Sequence, residues 1–304
     1  MSNKRRLGNI LLLITAVIWG TAFVSQRAGM DKIEPMTFAA SRMILSLVFV
    51  SILSIFYAKR DRKKLENMTA EEKKAHKKST FIGGILCGLC LGSASILQQM
   101  GMVYTEAGKA GFITALYILI VPVINAFIFK KKNGKRVWLA VFLGLIGLYL
   151  LCVTDGFTLT KGDLLVMGCA LIFTGHILSA DHFAPMGNPI MMSAIQFVVA
   201  SIMALAGALI FETPSFEGIL SAALPIIYCG IMSGGVGYTL QIIAQRYTEP
   251  TVASLLMSLE AVFAVLAGAI LLGERMSAKE LIGCAIMFTA IILVQLPVKT
   301  KQKA

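Results

Sequence analysis

Charge is in short supply along this chain. Only 14% of its 304 residues are Asp, Glu, Lys or Arg, against roughly 25% in an ordinary soluble domain. Acids are the scarcer sign, 16 against 28 basic residues, which leaves a formal net charge of +12. Histidine occurs three times, at scattered positions, so no metal-ligand spacing can be assembled from it. HExxH, GxSxG, GxGxxG and P-loop patterns are all missing. Their absence removes the usual signals of zinc hydrolases, serine hydrolases and nucleotide-binding enzymes. No catalysis, no cofactor and no bound metal are expected, and no ATPase subunit is implied. Loop cysteines are missing too: all six cysteines lie inside apolar runs, so no disulfide framework is expected. Cys87 and Cys90 form a CxxC, but within such a run, where small polarizable packing residues are the ordinary reading.

Apolar sequence is what the chain has in abundance. It is 57% hydrophobic, with a mean hydropathy of +0.79, more apolar surface than a soluble fold could hide. A span takes about 20 residues, and ten apolar runs are found, at 7–26, 35–57, 80–102, 108–129, 136–154, 162–180, 189–211, 218–241, 250–272 and 278–296. The first is of full spanning length and lacks a small-residue cleavage site, so it reads as an uncleaved span. Most connections are short. The exception is the charged segment 58–79, where Thr69 followed by Glu72 suggests a capping box for a short surface helix.

The basic residues sit between these runs, not on one face, so no nucleic-acid partner is expected. With the N-terminus placed in the cytoplasm, 21 Lys and Arg fall in inner segments, nine of them in 58–79, and six in outer loops. That bias orients both termini, including the tail 297–304, toward the cytoplasm of a cell membrane.

Sliding the chain over itself reveals a repeat. At an offset of 154, Trp19 falls on Phe173, Pro35 on Pro189 and Arg42 on Gln196. From the third span the offset becomes 143: Gln98 falls on Gln241, Tyr104-Thr105-Glu106 on Tyr247-Thr248-Glu249, and Tyr117 on Glu260. Residues 1–154 and 162–296 then carry five spans each. An odd count turns the second copy upside down, as in many secondary transporters.

The order of motifs across the two halves resembles the drug/metabolite transporter superfamily, in particular its ten-span EamA-type carriers. The carrying residues are the first span from Leu11 to Met30, Arg42 in PMTFAASRMILS and Pro122 in YILIVPVINAF. Glu260 in SLLMSLEAVFAVLAGAILLGE, Gly273-Glu274 and Gly283 complete them. The resemblance covers essentially the whole chain and implies efflux of amino acids or related amphipathic metabolites. In one place the chain departs from the family. Ala261 stands where the family often has proline after the glutamate, so the ninth span is expected to be less kinked.

Seven polar or aromatic side chains inside the runs are the candidate substrate site: Trp19, Arg42, Gln98, Tyr117, His176, Gln241 and Glu260. Glu260 is the sharpest. A charged carboxylate at mid-span costs about 2.5–3.5 kcal/mol on insertion scales, so it must face protein or water. It is the only acid near the middle of any run. It could carry a proton, meet a substrate amine, or hold a neighbouring helix, and Tyr117, its repeat mate, could face it across the repeat axis. Arg42 either snorkels to the surface or meets an anionic group. Trp19 is a packing residue or a cavity wall, and His176 a packed neutral ring or a ligand. Gly230, Gly234, Gly237 and Gln241 share one helical face, as do Gly84, Gly88, Ser95 and Gln98. Such smooth faces serve close helix packing or a cavity wall, and the amide at each end is the functional candidate.

The expectation is therefore an all-α integral membrane protein of ten spans in two inverted five-helix repeats. It would be a secondary exporter of small metabolites by alternating access, with proton coupling at Glu260. Its rivals are an uncoupled facilitator or exchanger, and a membrane sensor or scaffold using the basic segment 58–79 on anionic lipid or a partner.

Overall fold

The computed structural model describes residues 3–105, 107–130, 133–152, 160–271 and 277–295. Gly273, Glu274 and the tail 297–304 lie outside the described residues. The first half contains α1 (Asn3–Met30), α2 (Pro35–Glu66), α3 (Ala70–Tyr104), α4 (Ala107–Ala115), α5 (Tyr117–Phe127) and α6 (Lys135–Cys152). The second contains α7 (Lys161–Phe183), α8 (Pro189–Phe211), α9 (Phe216–Ser221) and α10 (Ala223–Ile227). A π-helical segment (Tyr228–Tyr238) follows, then α11 (Thr239–Ala244), α12 (Pro250–Met257), α13 (Glu260–Leu271) and α14 (Ala278–Gln295). No strand occurs among the described residues.

Seven helical stretches are long and apolar enough to cross a membrane, and Ile113–Phe127 is a shorter apolar one. Their outer faces carry large exposed apolar side chains such as Ile55, Phe56, Phe127, Leu209 and Ile270. On a soluble protein such a surface would be an aggregation hazard; against lipid tails it is the matching solvent. The chain is a multi-pass membrane protein.

Helix starts follow local chemistry. Proline opens α2, α8 and α12, where its missing N–H costs nothing. The Asn188 side chain accepts from the amides of Ile190 and Met191 to cap α8. The capping box at Thr69 is present, with Thr69 N–H to Glu72 at 2.8 Å and Glu72 N–H to Thr69 Oγ1 at 3.2 Å. It does not start a separate surface helix. It starts α3 itself, which runs unbroken into the apolar stretch, while α2 extends to Glu66. The expected loop 58–79 is thus a helical hairpin with a turn at Asn67–Thr69. Its Lys and Glu are good helix formers, and no Gly or Pro interrupts them.

The apolar run 250–272 is not a single regular helix. It is broken between Met257 and Glu260 although no proline is there. Ser258 Oγ donates to the Leu255 carbonyl at 2.9 Å, and the Leu259 amide bonds Leu256 at 3.3 Å, an i→i+3 link that tightens the turn. The apolar run 108–129 breaks in the same way at Leu116, whose amide bonds Ile113 at 3.2 Å. Each break immediately precedes one of the paired residues, Tyr117 and Glu260.

The halves interlock. α1 packs on α13, the π-helical segment, α11 and α12, while α3 packs on α7 and α8. Glycines permit the approach. A Cβ on Gly20 would lie 2.7 Å from the Glu260 carbonyl oxygen and 2.8 Å from the Ala264 amide nitrogen. On the smooth faces noted above, Gly84 and Gly88 meet α8 at Ile195 and Val199, and Gly230 meets α2 at Leu45. Those faces are helix-packing surfaces. The even helical count fails over Tyr228–Tyr238, where i→i+5 bonding widens the turn.

Candidate functional site

Between the interlocked halves lies a cavity lined by residues from both. Tyr117 and Glu260 form its keystone. Each is the first residue of a helix restarted after a break, so each side chain leaves the helix where the backbone turns. The Tyr117 hydroxyl donates to Glu260 Oε1 at 2.9 Å, and both residues are buried. Arg42 supplies the opposite charge type on the same cavity. It is 4% exposed, and its Nε has no hydrogen-bond partner. A buried guanidinium N–H without an acceptor is costly. Arg42 does not snorkel to the surface: it faces the interior.

One wall is aromatic. The Trp19 and Tyr238 rings lie 4.6 Å apart at 48°, and Phe173 and Phe23 extend the surface. Trp19 Nε1 donates to the Ser233 carbonyl at 3.1 Å, which fixes the indole against the π-helical segment. Gly237 leaves room for it: a Cβ there would lie 2.6 Å from Trp19 Nε1. The rest of the lining is amide and hydroxyl. Gln98 donates to Thr114 Oγ1 at 3.2 Å, while the side-chain oxygens of Gln26 and Gln241 are without partners. An apolar wall facing a few convergent polar groups is the ordinary build of a small-molecule site.

Of the seven candidates read from the sequence, Trp19, Arg42, Gln98, Tyr117, Gln241 and Glu260 border this one cavity. His176 does not. It is fully buried behind the wall, edge-on to Tyr238 at 5.6 Å, with Nε2 3.0 Å from Gln196 Oε1. It stands one layer behind the lining. Gln26, Thr114, Ser233 and Tyr238 were missed. Spacing could have found three of them: Gln26 is seven residues after Trp19, Thr114 three before Tyr117 and Tyr238 three before Gln241, each on the face of a candidate. No group of three or more His, Cys, Asp or Glu that could hold a metal occurs among the described residues. Cys87, Cys90, Cys169, Cys229 and Cys284 are free thiols.

A helical membrane protein with a buried polar cavity between two interlocked halves has the build of a transporter. Residues 6–153 and again 160–296 match the EamA-like transporter family, and the chain belongs to that family. A relative from Archaeoglobus fulgidus, described only as an uncharacterized transporter, is 28% identical over 97% of this chain and 88% of its own length. A protein of Salmonella typhimurium described as a "probable amino-acid metabolite efflux pump" is 22% identical, covering 95% of this chain and 94% of its own. One solved crystal structure superposes with a TM-score of 0.76 at 15% identity, covering 95% of this chain and 96% of that one, a likeness of fold.

Proposed function

We propose that the chain is a secondary exporter of small amphipathic metabolites, amino acids or their relatives, binding them in the cavity bordered by Trp19, Arg42, Tyr117 and Glu260. The observation that carries this is the cavity itself: a buried cationic group and a buried carboxyl line one space beside an aromatic wall. A zwitterionic or amphipathic molecule with a ring or apolar body complements all three. The names of the efflux relatives agree with that class.

The ten-span inverted architecture is part of the proposal. Seven stretches are spans by length and composition; the α4–α5 pair, α6 and α14 supply the other three. Contacts exchanged between the halves support the inversion. Thr105 donates to Asp163 at 2.7 Å and Thr248 to Asn9 at 3.1 Å; the offsets 143 and 154 carry the first pair onto the second. Gly162 packs on Gly101 and Tyr104, and its counterpart Gly8 on Ala244 and Tyr247. Gly88 meets Val199 as Gly230 meets Leu45, an offset of 142 that has become 143 by Gln241. The step falls in the π-helical segment, the place where one extra residue is accommodated as a wider turn. Two such copies could exchange conformations across the membrane and open the shared cavity to either side. The basic bias of the hairpin 58–79 supports cytoplasmic termini in a cell membrane.

Proton coupling through Glu260 completes the reading. A carboxyl group can load and release a proton at the cavity, and Tyr117 is placed to bond it. The test is flux in proteoliposomes with and without an imposed pH gradient. Glu260→Gln keeps shape and hydrogen bonding but removes titration, so it should retain binding and lose the response to the gradient. An unchanged response would leave Glu260 as a structural or substrate ligand.

A further inference from the structure

We infer that Gln241 recognises a hydrogen-bond donor on the cavity's ligand through its side-chain oxygen, and that Gln245 and His176 are positioning residues that hold the amide in that orientation. The inference rests on the cavity being the substrate site.

A glutamine amide can present either end, so its neighbours must decide. Here they do, because the chain of contacts is anchored on a backbone carbonyl, which can only accept. Gln245 Nε2 lies 2.9 Å from the Ile177 carbonyl oxygen and must donate to it. Its Oε1 is thereby turned toward Gln241 and accepts from Gln241 Nε2 at 3.1 Å. The same nitrogen faces His176 Nδ1 at 3.5 Å, which occupies its second hydrogen. Nδ1 then accepts, so the imidazole hydrogen sits on Nε2 and points at Gln196 Oε1, 3.0 Å away. Gln196 Nε2 reaches Ser193 Oγ at 3.4 Å, and Ser193 pairs with Thr239 Oγ1 at 2.8 Å. Every side chain in this series is buried.

The consequence falls at the cavity. Gln241 lines it, is 1% exposed, and has its side-chain oxygen without a partner. A buried acceptor lacking a donor is unfavourable, and a ligand N–H or O–H removes that penalty. Gln26 Oε1, on α1, is a second unpartnered acceptor on the lining, and Arg42 Nε an unpartnered donor. The ligand is thus a molecule with an ammonium, amide or hydroxyl donor for the glutamine oxygens and an acceptor or anionic group for Arg42. A site built around a donor rejects the analogue that lacks it, since its own polar group is then left unpaired.

Two measurements test this. The first is competition for uptake in proteoliposomes by L-phenylalanine and by 3-phenylpropanoate, which differ in the ammonium group. Wild type should prefer phenylalanine. Gln241→Met should lose about tenfold of that preference while 3-phenylpropanoate is unaffected. Gln245→Met, which frees the amide to turn, should lose part of that preference. If Gln241→Met weakens both probes equally, or only lowers thermal stability, the residue is structural and the inference is overturned. The second is the ¹⁵N spectrum of His176 in a background lacking the other two histidines. Hydrogen on Nε2 supports the orientation; hydrogen on Nδ1 overturns it. If wild type takes neither probe, the substrate reading fails and the ligand half of the inference falls with it, while the nitrogen spectrum still decides the orientation.

Discussion

Replacing Gly20 with alanine should loosen the protein, although alanine is the better helix former by about 1 kcal/mol. Gly20 is where α1 lies against α13, the helix that begins with Glu260. An added Cβ would stand 2.5 Å from Phe263 Cβ, 2.7 Å from the Glu260 oxygen and 2.8 Å from the Ala264 nitrogen. Two of these three are backbone atoms, so no side-chain rotation relieves them; the helices must move apart. Overpacking of this kind costs about 1–3 kcal/mol. With three contacts this close, the upper part of that range applies, and subtracting the propensity gain leaves a net loss of about 1–2 kcal/mol. Gly111 is the internal control, because among the described residues a Cβ there meets nothing within 4 Å. Gly111→Ala should therefore show the propensity gain alone, and the two variants should differ by about 2–3 kcal/mol. Equilibrium unfolding in mixed micelles reads the difference. If Gly20→Ala is as stable as Gly111→Ala, the close packing of α1 on α13 is not as described.

Two further outcomes can be checked. Reporter fusions after Lys64 and after Lys132 should report the cytoplasm, and one within 212–217 the outside; an exterior signal from the basic hairpin reverses the orientation. At the start of α3, hydrogen bonds from the Thr69 backbone and side chain hold the Glu72 carboxyl below its ordinary value of 4.5. A depressed folded value stabilises above the unfolded one and is lost as pH falls through the folded one. Protection of the Thr69 and Glu72 amides, measured against their intrinsic exchange rates, should therefore fall below about pH 4.5 and be flat above it. Glu72→Gln should remove that pH dependence, and Thr69→Ala, which keeps the backbone donor, should only weaken it.

The sequence revealed positions better than it revealed backbone breaks. The offset of 143 matched Tyr117 with Glu260, and the two side chains are hydrogen-bonded at 2.9 Å. Arg42, Gln98 and Gln241 were legible because polar groups inside apolar runs must turn inward. The break before Glu260 was not. Proline was the signal sought, whereas the turn is tightened by the Ser258 hydroxyl on the Leu255 carbonyl, and a lone serine in an apolar run does not announce that. The π-helical segment was hidden for a similar reason. Its wide turn is tied to neighbours, with Ser46 Oγ on the Gly230 carbonyl and Trp19 on that of Ser233, and no local residue pattern encodes such partners. For His176, helical spacing revealed the face but not the layer. Its ring meets Gln196 and Tyr238 behind the wall.

The most direct test of the substrate site is counterflow of labelled amino acids in proteoliposomes by Tyr117→Phe beside Leu209→Ala. The first deletes one hydroxyl, the one bonded to Glu260 inside the cavity, and keeps the ring. The second trims an exposed side chain on the outer face of α8, 66% accessible. Loss of a buried hydrogen bond to a carboxyl group is worth about 1.5–3 kcal/mol, or roughly tenfold to a hundredfold. Counterflow by Tyr117→Phe should fall by about that factor, while Leu209→Ala matches wild type and both variants remain folded. Equal counterflow by wild type and Tyr117→Phe would contradict the claim that this cavity is where the substrate binds.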